Sequence, residues 1–196
     1  MAESVAGIIL AAGASRRMGR SKQLLLWRGK PFICQVAHTA LDAGLAPAVV
    51  VTGAEADDVR AALAGVPVEI VHNPGWAEGQ STSVRMGLQA LSPETTAAIF
   101  LLADQPHIPV ELVRALAERH AQTQPPIVAP MIEGRRGNPV LFDRSTFPDL
   151  MSLRGDAGGR LLFSRYSITA VPWDDASLLL DVDTLEDYQR LLKSAQ

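Results

Sequence analysis

The chain has a single cysteine, Cys34, among 196 residues. A lone thiol closes no intrachain disulfide and builds no zinc knuckle, so burial must hold the fold together and a reducing compartment is the expected setting. Cys34 falls in a predicted helix beside Phe32, Ile33 and Val36, which marks it as core packing rather than a nucleophile. Histidine is sparse as well: His38, His72, His107 and His120 are scattered, with no pair at metal-ligand spacing. No Ser-His-Asp or Cys-His order emerges, so zinc chemistry and hydrolysis through a covalent nucleophile find no support. The net charge is only −3, which disfavours a nucleic-acid partner held by backbone charge alone. Residues 5–14 form an apolar run, short of the roughly 20 residues that cross a bilayer. The preceding Met-Ala-Glu-Ser lacks the cationic segment of a signal peptide. A soluble, cytoplasmic protein with no membrane partner is expected. No Gly- or Ser-rich linker, repeat or low-complexity tract divides the chain, so one domain over 1–196 is expected.

What is present is concentrated near the start. In Gly7-Ile8-Ile9-Leu10-Ala11-Ala12-Gly13-Ala14-Ser15-Arg16-Arg17-Met18-Gly19-Arg20-Ser21-Lys22, a buried-strand run ends in small residues and then in four cations. Small residues let backbone N–H groups close around a ligand, and clustered cations require an anion nearby. The pattern reads as a polyphosphate grip after a first strand. It is not a P-loop: five residues separate Gly13 from Gly19, and Arg20 stands where a lysine is needed. Nor is it a dinucleotide fingerprint, because Ser15 occupies the second glycine position.

Further along, strands are predicted over 5–10, 47–52, 68–72 and 97–102, alternating with helices over 31–43, 55–64, 80–91 and 110–121. Such alternation builds a mainly parallel sheet with helices on both faces. Beyond Pro125 the rhythm changes to shorter, partly antiparallel strands over 127–130, 138–142, 167–173 and 178–180, with helices over 157–165 and 184–193. The predicted architecture is a three-layer α/β/α domain. Ligands of such sheets lie beyond the carboxyl ends of the strands, which makes the strand-to-helix loops informative.

Three of those loops carry chemistry. Asp104 directly follows the apolar stretch Phe100-Leu101-Leu102-Ala103 and suits magnesium, which takes hard oxygen ligands from one or two carboxylates plus phosphates. Its alternative is an N-cap for the helix near Pro109, a long reach of five residues. Asp181 and Asp183 share a side if their stretch is extended, and Thr184 with Asp187 makes a capping-box variant. Ahead of both in sequence, Asn73-Pro74-Gly75-Trp76 leads to Gly79, Ser81 and Ser83, which suit close approach and hydrogen bonding, or equally a helix cap. Arg135 and Arg136 read as a solvated hairpin tip or as ligand contacts, and Asp156 as a cap for the helix after it.

These stretches together resemble the molybdopterin nucleotidyltransferases, which have a GT-A-like fold. The match includes L-A-A-G-x-S-x-R-M-G-x-x-K at Leu10–Lys22, D-Q-P at Asp104–Pro106 and G-N-P-V-L-F at Gly137–Phe142. It extends to G-D-x-G-G-R at Gly155–Arg160 and D-x-D-T-x-E-D at Asp181–Asp187, where Leu185 replaces the family's proline. The resemblance implies nucleotide contacts from Leu10, Ala11, Ala12, Gly13, Arg17, Lys22, Gly79, Ser81 and Ser83. It implies catalytic roles for Lys22, Arg17 and Asp104, and Mg2+ on Asp104 and Asp183 with Asp181 in support. Asn138 and Arg160 are the implied acceptor contacts. The implied reaction couples CTP to molybdopterin and releases pyrophosphate, with an apo-molybdoenzyme such as a xanthine dehydrogenase-type hydroxylase as a downstream partner. CTP is favoured over GTP because Ala12 stands where guanylyl-transferring relatives tend to carry glycine. Transfer to another phosphorylated acceptor and a non-catalytic cofactor escort are the competing readings.

Overall fold

A computed structural model describes residues 4–14, 18 and 21–194. The first strand, β1 (Val5–Ala11), leads through a 3-10 turn at Lys22–Leu24 into a small hairpin, β2 (Leu26–Trp27) and β3 (Lys30–Pro31). There follow α1 (Phe32–Asp42), β4 (Ala48–Thr52), α2 (Ala56–Ala62), β5 (Glu69–His72), α3 (Gln80–Gln89), β6 (Ala97–Leu102) and α4 (Val110–Thr123). The second half adds β7 (Ile127–Ile132), β8 (Arg135–Arg136), β9 (Val140–Asp143), α5 (Phe147–Ser152), β10 (Ile168–Pro172) and α6 (Leu185–Ser194).

The main sheet has the order β10-β7-β9-β6-β1-β4-β5, with β8 beside β7. β5, β4, β1 and β6 are mutually parallel, whereas β9 runs antiparallel to both β6 and β7. β10 pairs with β7 in parallel, where an antiparallel partner was equally open from sequence. The sheet is therefore mainly parallel, and its chain order reverses beside β1: β4 and β5 extend one way, β6 returns on the other side. Such a switch point opens a crevice at the carboxyl ends of its strands.

Side-chain alternation splits the core into two layers. Ile9, Val50, Ile99 and Leu101 pack with Ile33, Val36, Val59, Leu112 and Leu116 of α1, α2 and α4. Ile8, Val49, Val51, Ala98 and Phe100 face α3 and α5 through Val84, Leu88 and Leu150. Helix α3 comes very close to β1, since a Cβ on Gly87 would lie 2.5 Å from Ile8 Cγ2. Cys34 is core packing as expected; its thiol donates to Ala62 O at 3.0 Å, and burial pushes its pKa up.

Several late elements depart from the sequence reading. The helix expected over 157–165 is a 3-10 stretch, Gly159–Ser164, whose start is packed closely, Gly158 against Gln80 and Gly159 against Phe142. The strand expected over 178–180 is instead the 3-10 turn Ala176–Leu179, held by Asp175, whose carboxylate accepts from Ser177 N at 2.9 Å. Helix α5 and the β2–β3 hairpin were not anticipated; α5 begins with Pro at its first turn, a start signal present in Phe147-Pro148.

The antiparallel strand is tied to the helical layer by one buried polar contact. His120 of α4, 1% exposed, lies 2.9 Å from Asp143 Oδ2 at the end of β9. Asp143 also accepts from Ser145 N at 2.9 Å and Ser145 Oγ at 2.6 Å. Burial pushes the Asp143 carboxyl up, but the Ser145 and His120 hydrogen bonds outweigh it, and its pKa falls below the ordinary 3.8. The folded chain thus holds fewer protons here than the unfolded one, and stability is lost as pH falls through the depressed value. We expect Asp143→Ala to cost about 1–3 kcal/mol at neutral pH, because a buried partner is left unpaired. Denaturant unfolding from pH 7 to pH 3 checks this: the gap between wild type and variant should narrow on acidification.

Candidate active site

The crevice at the switch point consists of two adjoining clefts that share Leu10, Gln80 and Leu102. The first, about 660 Å³, lies over the carboxyl ends of β1 and β6 and is lined by Ala12, Gly13, Ala14, Lys22, Gln23, Trp76, Gly79, Ser83 and Asp104, among others. The second, about 730 Å³, lies over β6 and β9 and includes Arg135, Arg136, Asn138, Arg160, Phe142, Phe163, Gln105 and Asp181.

A charge cluster is drawn from three parts of the chain: Lys22 and Asp104 line the first cleft, and Lys22 also meets Asp183, which lines neither cleft. Lys22, 9% exposed, donates to Asp183 Oδ1 and lies 3.7 Å from Asp104 Oδ2. Asp104 is placed by β6 as expected and does not cap α4, whose N-cap is Pro109. Burial raises the Asp104 pKa, Lys22 pulls it back, and Asp181 and Asp183 push it up again. Among the described residues no group of three or more His, Cys, Asp or Glu could hold a metal by itself; what converges on Lys22 is a set of two hard-oxygen donors, Asp104 and Asp183. That set fits a divalent ion completed by substrate phosphates.

The stretch bearing Asp181 and Asp183 is not extended. Asp183 N donates to Asp181 O at 3.1 Å, a three-residue turn. Val182 between them is fully buried, in a small core with Met18, Leu25, Trp27, Phe32 and Leu191. The two acids therefore diverge: Asp183 meets Lys22, while Asp181 accepts from Gln105 Nε2 at 2.6 Å. The predicted capping box forms, with Asp187 Oδ2 accepting from Thr184 N at 2.9 Å and Thr184 Oγ1 receiving from Asp187 N at 3.2 Å. Hydrogen bonding to Thr184 holds the Asp187 pKa below its ordinary value.

The first loop is shaped by a residue that sequence reasoning missed. Gln23, 5% exposed, donates from Nε2 to Gly13 O at 2.8 Å and Ala11 O at 3.2 Å. Its signal was an amide directly after the last cation of the basic run. This clasp occupies two carbonyls of the loop and fixes its backbone at the edge of the first cleft.

The predicted nucleotide residues divide. Leu10, Ala12, Gly13, Lys22, Gly79 and Ser83 line the first cleft. Ala11 does not: it is 2% exposed and packs into the α1-side core. Ser81 is fully buried, its hydroxyl 3.4 Å from Arg85 Nη1 and its N–H bonded to Gly155 O at 3.1 Å. The tight approach at Gly79 is to the chain itself, since a Cβ there, at φ +116°, would lie 2.3 Å from Gly155 C. Asn73 locks this loop by donating to Thr82 Oγ1 at 2.8 Å and Ser83 Oγ at 3.0 Å. Arg17, with Arg16 and Arg20, lies outside the described residues.

Asn138 and Arg160 line the second cleft together with Arg135 and Arg136, which are both exposed on the β8 hairpin, as the solvated-tip reading expects. Arg136 stacks over Phe163, 4.6 Å from its ring centroid, and Phe163 is itself stacked on Phe142. Asp156 caps nothing and lines the first cleft.

Residues 7–170 match the MobA-like NTP transferase domain. The chain belongs to the MobA-like NTP transferase family. Its three-layer arrangement is the GT-A-like fold of solved nucleotidyltransferases. The nicotine blue oxidoreductase of Paenarthrobacter nicotinovorans is 33% identical, with 96% of each chain covered. The molybdenum cofactor cytidylyltransferase of Escherichia coli K12 is 26% identical over 92% of each. Among solved structures, Rv0371c from Mycobacterium tuberculosis H37Rv superposes with a TM-score of 0.86 at 31% identity, covering 98% of this chain and 100% of that one. The same mycobacterial protein has also been solved with manganese. No described helix of this MobA-like chain is long and apolar enough to cross a membrane.

The buried valine between the acids generates a test. We expect Val182→Ala to lower stability by about 1–3 kcal/mol, as a buried-methyl deletion does. It should also weaken turnover more than stability, because both acids lose their shared anchor. Comparing nucleotide turnover with denaturant midpoints for Val182→Ala and for the remote core variant Leu116→Ala checks this; an equal turnover loss in both would remove the anchoring role.

Proposed function

We propose that this protein transfers CMP from CTP to the terminal phosphate of molybdopterin, in the cytoplasm, with release of pyrophosphate and dependence on Mg2+. The observation that carries this reading is the Lys22–Asp104–Asp183 cluster, whose Lys22 and Asp104 line the phosphate-loop cleft that adjoins a cleft rich in arginine. The triphosphate is assigned to the first cleft, against Gly13, Ala14 and Lys22. The acceptor is assigned to the second, where Arg135, Arg136, Arg160 and Asn138 suit a phosphate and Phe142 and Phe163 suit a flat ring system. Similarity to a cytidylyltransferase acting on molybdenum cofactor supports the choice of acceptor.

A bound Mg2+ would be held by Asp104 and Asp183 and would neutralise charge on the triphosphate. The chain's own groups do the rest. Lys22 stabilises charge developing on the displaced pyrophosphate, and Arg17 is assigned the same task. The second-cleft arginines align the acceptor phosphate, which is anionic at neutral pH and needs no strong base to attack. Gln23 holds the backbone of the phosphate loop through Ala11 O and Gly13 O.

The base preference rests on Ala12. It is 6% exposed, and a Cβ on Gly53 would come within 2.8 Å of both its methyl and Trp76 Cβ. Ala12 and Trp76 line the first cleft and are packed tightly against Gly53, a narrow wall that favours a pyrimidine over a purine. GTP as donor, or another phosphorylated acceptor, is the alternative chemistry.

Pyrophosphate release measured with CTP or GTP, with and without molybdopterin, tests the proposal. We expect CTP to exceed GTP and release to require the acceptor. Release with neither nucleotide, alongside tight cofactor binding, would point to an escort protein instead. Asp104→Asn should lower turnover by about a hundredfold or more, as loss of one electrostatic stabiliser does. Near-normal turnover of that variant, folded and at saturating Mg2+, would remove Asp104 from the site.

A further inference from the structure

The charge cluster has an unexpected geometry: the lysine does not stand opposite the acids but rests on them. Lys22 follows the phosphate loop and is fixed at its base by the neighbouring Gln23, which grips Ala11 O and Gly13 O. Its ammonium donates to Asp183 Oδ1 and sits 3.7 Å from Asp104 Oδ2. The lysine side chain is 11% exposed, whereas Asp183 and Asp104 are 37% and 31% exposed, so a buried cation meets acids that stay partly open to solvent. An ammonium in this place does what a divalent ion would do: it screens two carboxylates from each other. Two cations cannot share so small an anionic gap without strong repulsion.

We propose that, without nucleotide, Lys22 occupies the divalent-cation position between Asp104 and Asp183, so that metal enters only together with a triphosphate that draws the ammonium away. The inference rests on the transferase reading and adds an order of binding to it. Lys22 lines the same cleft as Gly13 and Ala14, so the phosphate oxygens would lie within its reach. The exchange conserves charge balance. The acids trade a monovalent partner for a divalent one, and the lysine trades carboxylates for phosphate. Free metal then binds weakly, nucleotide tightens metal, and by linkage metal tightens nucleotide by the same factor. The device keeps an unloaded site from accumulating metal and keeps its acids from repelling one another.

The test is Mn2+ binding followed by electron paramagnetic resonance on the full chain, with and without CTP, for wild type, Lys22→Met, Lys22→Gln and Lys22→Arg. Circular dichroism confirms folding of each. Without CTP, Lys22→Met and Lys22→Gln should bind Mn2+ at least about tenfold more tightly than wild type, within the range of site-to-site couplings. Lys22→Arg, which keeps the cation, should bind it as weakly as wild type. CTP should tighten Mn2+ in wild type far more than in Lys22→Met. Equal Mn2+ affinity without CTP in wild type and whichever neutral variant folds would overturn the proposal. So would a Lys22→Arg variant that binds as tightly as Lys22→Met. Wild-type pyrophosphate release is assayed separately: its absence with every nucleotide would sink the transferase reading, whereas release alongside tight nucleotide-free Mn2+ binding would sink this proposal alone.

Discussion

The structure depends on keeping like charges together. Asp104, Asp181 and Asp183 would repel if left to themselves, and burial makes the ionised form of Asp104 costlier still. The Lys22 ammonium, delivered from 161 positions away in sequence to Asp183, offsets part of that cost. An isolated buried ion pair is weak evidence for stability, because desolvation consumes most of the Coulomb gain. This cluster is better understood as poised for a ligand than as a brace. The brace is elsewhere: Val182 in its apolar socket, Gln105 on Asp181, and the Thr184–Asp187 box hold the acids from behind.

The sheet explains why two clefts meet at this point. Parallel strands β1 and β6 end side by side at the switch point and present Ala12–Ala14 and Asp104 on one side. The reversed strand β9 then breaks the parallel run, and its neighbours bring arginines and phenylalanines to the other side. A donor site and an acceptor site thus arise from one change of strand direction. Glycines permit the closure where loops meet: a Cβ on Gly159 would fall 2.5 Å from Phe142 Cζ, and one on Gly79 would strike the Gly155 backbone.

What was readable in the sequence followed from local physics. The parallel half was legible because apolar strands and amphipathic helices have distinct periods, and Asp104 was legible because an acid ends a buried strand. The Thr184–Asp187 box likewise needs only local spacing. Less legible was whatever depends on contacts between distant segments. Ser81 looked like a ligand but is turned inward toward Arg85, and Ala11 faces the core because strand alternation continues one residue further than the small-residue run implies. The 3-10 turns at 159–164 and 176–179 replaced a regular helix and a strand where glycine and an aspartate turn dominate the local geometry. Gln23 and Val182 had no motif to announce them; both act through tertiary contacts. The hairpin arginines were ambiguous because they are exposed and yet line the second cleft, with Arg136 over Phe163.

The most direct measurement of the central claim is a crystal structure grown with CTP and Mn2+, using the anomalous signal of manganese to place the ion. The account predicts a single strong peak between Asp104 and Asp183, the triphosphate along residues 12–14, and the Lys22 ammonium moved from the carboxylates to phosphate oxygen. A nucleotide seated instead among Arg135, Arg136 and Arg160, or an ordered triphosphate with Lys22 still on Asp183 and no ion between the acids, would contradict it.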